Sequence, residues 1–381
     1  MNSQTRSAVH DHASLLRQRS LSRFQDECAL NGVLIYGQIT VGLALYLYGF
    51  VSTPGYFSVL LSGLYLLLSC LLAYPLARRA GQEENVLSWA AGKRLGKALS
   101  LFMAGVFLLD ALLAFLALCA IVENILPNVS ALWTSLLIGG LSALALNGRN
   151  PRALASLSRP LRWGILGAML YCVAAALPHG NPGHLFPWLG WGPDRILLGG
   201  GWMCGCAAAG CAPLLLPRSA PGERGSIGRK ALLLPALAAV LLGASAALFS
   251  AWLMPVYALA RPESLGWRML LISNMSPSVL GWSLEVIALM FLMLLTLSAG
   301  LQRAAFCIAW TAGKASPSSL LIAVLALLLV PSGALRIKVI EDALRMLAPW
   351  RAAAMALVLL ALWTGALTRR KIKLFGKKAS A

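Results

Sequence analysis

The chain has 381 residues, 59% of them hydrophobic and only 12% charged, with a mean hydropathy of +0.75 and a net charge of +19. A soluble domain carries roughly 25% charged residues, so this composition excludes a soluble globular protein. The apolar runs of 18–30 residues lack period-two alternation, which excludes a β-barrel and leaves membrane-spanning helices. The basic residues sit in short loops between those runs, so the positive charge reads as membrane orientation and not as nucleic-acid binding.

Residues 1–28 form a polar, basic arm with Arg6, Arg17, Arg19 and Arg23, unlike a signal peptide. Span 1 is predicted over 29–50 and span 2 over 56–77. A basic loop follows at 78–97, with Arg78, Arg79, Lys93, Arg94 and Lys97. Span 3 covers 98–125 and span 4 covers 129–146. A loop with Arg149, Arg152, Arg159 and Arg162 precedes span 5 at 160–178. A Pro/Gly-rich loop with His179 and His184 leads to span 6 at 194–216, and a polar loop to span 7 at 231–259. Span 8 covers 279–304, with apolar character running past Trp310. Span 9 covers 318–334, an amphipathic segment 335–349, and span 10 covers 350–368. The basic tail 369–381 closes the chain with Arg369, Arg370, Lys371, Lys373, Lys377 and Lys378. The fold expected is therefore an all-α polytopic membrane protein with about ten transmembrane helices, in a single transmembrane domain at 29–368. With ten spans both termini share a side. That side collects 25 Lys and Arg against 7 on the other, which places both termini in the cytoplasm of a multi-pass cell-membrane protein. Residues 335–351 run against this count, with four basic residues on the outer side, and an interfacial helix or a miscounted span would explain them.

Ten spans also divide into two sets of five, at 29–178 and 194–368, the arrangement of a 5+5 inverted repeat. The first span of each set is rich in glycine. Span 1 holds Gly37, Gln38 and Gly42, and span 6 holds Gly199, Gly200, Gly201, Gly205 and Gly210. Glycine permits local unwinding, and unwound backbone in a membrane lines a cavity or is buried in protein. Close helix packing explains the same glycines, Gly201 and Gly205 forming a small-xxx-small pair. Trp202, beside the glycine run, either stacks over a ligand or packs.

Three acids lie within apolar runs: Asp110 and Glu123 in span 3, and Glu285 in span 8. A carboxylate at mid-membrane costs about 2.5–3.5 kcal/mol, so it is paired or faces a cavity. Asp110, about twelve residues into its span, is the best placed for a ligand, with a hydrogen bond to a neighbouring helix as the alternative. Glu123 lies at the outer end of its span. Glu285 sits in the first turns of span 8 and either closes a cavity or reaches the interface. Cys204, Cys206 and Cys211 have no His or acid nearby and read as small packing residues, not as a metal cluster. There is no HExxH or Walker motif and no buried His to activate a serine, so neither enzymatic chemistry nor a cofactor is expected.

Three stretches carry a resemblance. They are the segment from Gln38 (QITVGLALYLYGFVSTPGYF) through the lead-in to span 3 at Arg94-Leu95-Gly96-Lys97, the approach to span 6 from His184 to Trp202 (HLFPWLGWGPDRILLGGGW), and LISNMSPSVLGWSLEVIALMFLMLLTLSAGL around Glu285. Span order and loop length resemble the spore germination permeases, the B-type subunits of germinant receptors, from residue 30 to 368. The longer N-terminal arm, Ser283 and Leu292 depart from the family pattern. The resemblance implies membership of the amino acid–polyamine–organocation transporter superfamily and a leucine-transporter-like fold with broken helices 1 and 6. It implies that Tyr36, Gly37, Gln38, Gly42, Gly200, Gly201 and Trp202 line a ligand site, with Asp110 or Glu285 meeting a ligand cation. It further implies a small nutrient ligand such as an amino acid, the inner spore membrane as location, and two partners, an A-type membrane subunit and a C-type lipoprotein. A free-standing amino acid or ion-coupled transporter of the same fold stands as the alternative.

Overall fold

In lipid, long apolar runs satisfy their backbone groups by closing hydrogen bonds within the segment, as an α-helix does. The computed structural model of the chain is built from such helices. It describes residues 25–47, 55–80, 85–126, 192–216, 227–253, 279–313 and 349–379, together with 177–186 and scattered residues of 130–174 and 342–347. Among the described residues there is no strand.

In chain order the helices are α1 (Gln25–Leu45), α2 (Gly55–Arg79), α3 (Val86–Ile125), α4 (Pro193–Cys206), α5 (Ala208–Leu215), α6 (Ile227–Leu253), α7 (Val279–Ala312) and α8 (Trp350–Ala379). Six of them are long and apolar enough to cross a membrane, and α4 with α5 makes a seventh span if counted together, bent by 41° at the break between them. The chain is thus a polytopic helical membrane protein. These spans fall where spans 1, 2, 3, 6, 7, 8 and 10 are expected. Expected spans 4, 5 and 9 lie outside the described residues but for scattered positions, and with them the full count of ten.

Helix α1 is the hub. Its apolar window is 94% buried, against 44% for α2 and 39% for α6 and α8, whose outer faces are free to meet lipid. Small residues let its neighbours approach. A Cβ on Gly32 would meet Pro235 of α6 at 2.8 Å, one on Gly37 would strike Thr296 of α7, and one on Gly42 would meet Cys206 and Met203 of α4. Helix α1 is continuous through Gly37, Gln38 and Gly42 and passes into a π-helical turn at Leu43–Leu47. The interruption expected at those glycines is therefore replaced by close packing, the role small residues play between helices in lipid. Span 6 does break. After Ala207 the chain runs through a 3₁₀ turn, Ala208–Cys211, before it resumes as helix. The Gly210 carbonyl in that turn accepts from the Asn31 Nδ2 of α1 at 2.8 Å, so a side chain supplies a donor to backbone at the break.

Around α1 the remaining helices form two groups. Helix α3 packs along α7 and α8, and α2 packs along α4 and α6. The residues expected as a loop at 78–97 are helical from Val86 onward. Asn85 caps this helix by accepting from the Leu87 N–H at 3.0 Å. At Gly92, with φ +81°, the chain turns sharply, and the short piece 86–91 folds back on α3. The positive φ favours glycine at 92, and a Cβ on Gly96 would meet the Leu87 carbonyl at 2.9 Å. The basic tail is likewise not a separate loop, since α8 continues as helix to Ala379.

Helix α8 crosses the 86–91 piece at Gly365, where a Cβ would strike the Ala90 carbonyl, a backbone atom that cannot swing aside. Gly365→Ala is expected to destabilise the protein by about 1–3 kcal/mol. Gly201→Ala, where nothing lies within 4 Å, is expected to be neutral or slightly stabilising. Thermal unfolding of the two variants in one detergent checks the contrast.

Candidate functional site

The site begins with a polar residue on each of three helices that meet inside the bundle. Gln38 comes from α1, Asp110 from the middle of α3, and Arg351 from the second position of α8. Arg351 is 1% exposed, Gln38 3% and Asp110 7%. Each would be costly alone, because lipid and the apolar core offer no water to solvate it. They satisfy one another. Arg351 Nη1 donates to the Asp110 carboxylate and to the Gln38 amide oxygen, the latter at 2.8 Å. Gln38 Nε2 donates to the Asp110 main-chain carbonyl, also at 2.8 Å. Arg351 Nη2 reaches Cys206 Sγ at 3.8 Å, which ties the last residue of α4 before the break into the same cluster. Tyr65 of α2 donates to the Ala352 carbonyl at 2.8 Å and anchors the start of α8.

A second arginine lies close by. Arg303 of α7 is 6% exposed, and its guanidinium stands 5.8 Å from the centre of the Phe107 ring of α3. Close packing of α7 on α3 puts it there, since a Cβ on Gly300 would meet the Phe107 carbonyl at 3.0 Å. Asp110 and Glu27 are within electrostatic reach of Arg303, yet its Nη1 atom has no hydrogen-bond partner among the described residues. Asp110, Arg303 and Arg351 are the buried charged side chains among those described. Their formal sum is +1, because arginine remains protonated in proteins.

Between these groups is a small cavity lined by Gln38, Phe107, Asp110, Cys206, Thr296 and Arg303, with apolar residues of α1 closing one side. It has two chemical ends: a carboxylate already engaged by Arg351, and a guanidinium whose Nη1 has no hydrogen-bond partner among the described residues. At about 10 Å³ the cavity holds a single water-sized group, so a larger ligand requires the surrounding helices to part. Among the described residues no three His, Cys, Asp or Glu side chains come together to hold a metal ion.

The sequence-predicted residues divide around it. Gln38 and Asp110 line the cavity. Gly37 and Gly42 lie on the same helix, packed against Thr296 and Cys206, two of the lining residues. Tyr36 is half-buried against the core, as is Trp202. Gly200 packs against Leu61 of α2, and Gly201 faces open space on the outside of α4. Glu285 lies on α7, but its side chain is outside those described. Sequence reasoning missed Arg351 and Arg303. It counted Arg351 with the outer loops, and the structure corrects this by burying Arg351 against Asp110. Arg303 stood at the inner edge of expected span 8. Its signal was an arginine with apolar residues on both sides, in Ala299-Gly300-Leu301-Gln302-Arg303-Ala304-Ala305-Phe306.

Comparison of the chain with protein-family models gives no match, and comparison with curated proteins gives none either.

Breaking a buried ion pair from one side leaves an uncompensated charge and costs about 3–5 kcal/mol. Asp110→Asn and Arg351→Gln are each expected to lose stability of that order. The paired replacement Asp110→Leu with Arg351→Met is expected to recover most of it. Thermal unfolding of the four proteins in nanodiscs reads the coupling, and a double variant as unstable as the sum of its singles would refute it.

Proposed function

We propose that this protein is the permease-like subunit of a spore germinant receptor, binding a small nutrient, an amino acid, in the cavity between α1, α3, α4 and α7 and signalling germination. The observation that carries the reading is the buried, charged cavity at Gln38, Asp110 and Arg303. An ionisable residue inside a membrane protein marks a ligand or ion pathway by default, and a buried cavity lined by polar and charged groups suits a small polar ligand. The likeness of Gln38–Phe57, His184–Trp202 and the lead-in to span 8 to the B-type subunits supports the germination side of the proposal. So does the break after Ala207, which falls in the first span of the second set of five. In this reading the chain forms a 5+5 inverted repeat, sits in the inner spore membrane with both termini cytoplasmic, and works with an A-type membrane subunit and a C-type lipoprotein. The bent α4–α5 span equally favours a second reading, a free-standing amino acid or ion-coupled transporter, since discontinuous helices serve substrate sites in secondary transporters. Uptake of labelled amino acids into proteoliposomes would select that reading.

The geometry singles out one position for substitution. Ala209 is buried and lines the cavity, whereas Gly201 faces outward. Ala209→Leu is expected to abolish stabilisation by amino acids in a thermal-shift screen and to abolish nutrient-triggered germination of spores. Gly201→Leu is expected to leave both unchanged. An Ala209→Leu protein that responds normally would place the ligand elsewhere.

A further inference from the structure

The cavity has an asymmetry that the function proposed above does not use. Its acid is committed: the Asp110 carboxylate already receives Arg351, and Gln38 holds both partners. Its second cation is not. Arg303 is 6% exposed and lines the cavity, while Nη1 has no hydrogen-bond partner among the described residues. The Phe107 ring 5.8 Å away offers a weak π-face contact, and Asp110 and Glu27 act on the guanidinium through space. None of these occupies Nη1. A guanidinium presents five donors in a planar fork matched to a carboxylate, and a buried donor left unmade costs about 1–3 kcal/mol, more when charged. A carboxylate in the cavity would accept from the Nη1 donor that the described residues leave without a partner. The Thr296 hydroxyl beside the same space already donates its hydrogen to the Leu292 carbonyl at 2.8 Å, so it adds no donor for an anion.

We infer that Arg303 is the anion-binding residue of this cavity and receives the carboxylate of its ligand. The inference rests on the nutrient-binding reading for the identity of that ligand, though not for the anion site itself. It puts recognition of the ligand's acid on an α7 side chain, where the sequence resemblance implies half-helix ends of spans 1 and 6. It also assigns the Asp110–Arg351 pair a supporting part, holding α3 and α8 together while Arg303 meets the ligand.

The test uses full-length protein in nanodiscs with a thermal-shift titration. The probes are alanine, leucine and glutamine, the three corresponding carboxamides, sodium propionate and sodium chloride, each in sulfate buffer. In the wild type the amino acids and propionate are expected to stabilise, and the carboxamides to bind more weakly by about tenfold or more, as loss of a charge-assisted hydrogen bond requires. In Arg303→Gln the acids should fall to the level of their carboxamides, and Arg303→Lys should recover part of the difference. Without ligand, Arg303→Gln should unfold at the same or a higher temperature than wild type, because it removes an incompletely paired buried cation. A residue with a merely structural role would lower it. Carboxamides that bind wild type as tightly as the acids would overturn the inference and leave the nutrient reading standing, and this comparison needs no variant. Stabilisation by propionate but by no amino acid, lost in Arg303→Gln, would uphold the anion site and remove the nutrient reading. Stabilisation by chloride alone would overturn the carboxylate assignment in favour of an inorganic anion. Protection by no probe would overturn both.

Discussion

The ion pair between Asp110 and Arg351 is the constraint around which the described bundle is arranged. In water such a pair is worth little, about 0–1 kcal/mol. Inside a lipid-embedded core neither charge has another solvent, so each requires the other at contact distance. That requirement fixes the middle of α3 against the start of α8, and Gln38 extends it to α1 by donating to one partner's backbone while accepting from the other partner. Three helices distant in sequence are thereby set in register by one hydrogen-bonded cluster.

Close packing follows from the same requirement. Polar side chains can meet only if their helices approach, and the positions that allow approach are small. Gly37 admits Thr296, Gly42 admits Cys206, and Gly300 admits the Phe107 carbonyl. Thr296, Cys206 and Phe107 are themselves lining residues of the cavity. Packing and site are therefore not separate features here, because the glycines that bring α1 and α7 against their neighbours also set the size of the space between them.

Much of this was legible in the sequence, and the part that was not has a physical reason. Seven spans could be read from apolar run length because the lipid requirement acts locally on each segment. Asp110 stood out because an acid inside an apolar run is costly wherever it falls. The break in span 6 was visible as a glycine cluster, though the same cue in span 1 marked close contacts and not an interruption. A glycine that lets a helix unwind and one that lets a neighbour approach look identical until the neighbour is known, and Gly201, facing open space, does neither. Arg351 was unreadable for a different reason. It follows an amphipathic stretch and stands at the boundary of its helix, where loop arginines belong, and only the position of Asp110, 241 residues away, makes it a core residue. The Gly92 turn was missed because the 86–91 piece is held by Gly96 and Gly365, contacts set by tertiary structure.

The long sequence separation of the central pair bears on how the protein is made. Synthesis proceeds from the N-terminus at about 5–20 residues per second, so the 241 residues between Asp110 and Arg351 take roughly 12–48 s to appear. For that interval α3 carries an acid whose partner does not yet exist, and the early helices hold an unfinished interior. The arrival of α8 is what completes it. A nascent chain cut short before Trp350 would lack the partner of Asp110, so insertion of the earlier spans and completion of the described core are separate events, the second waiting on α8.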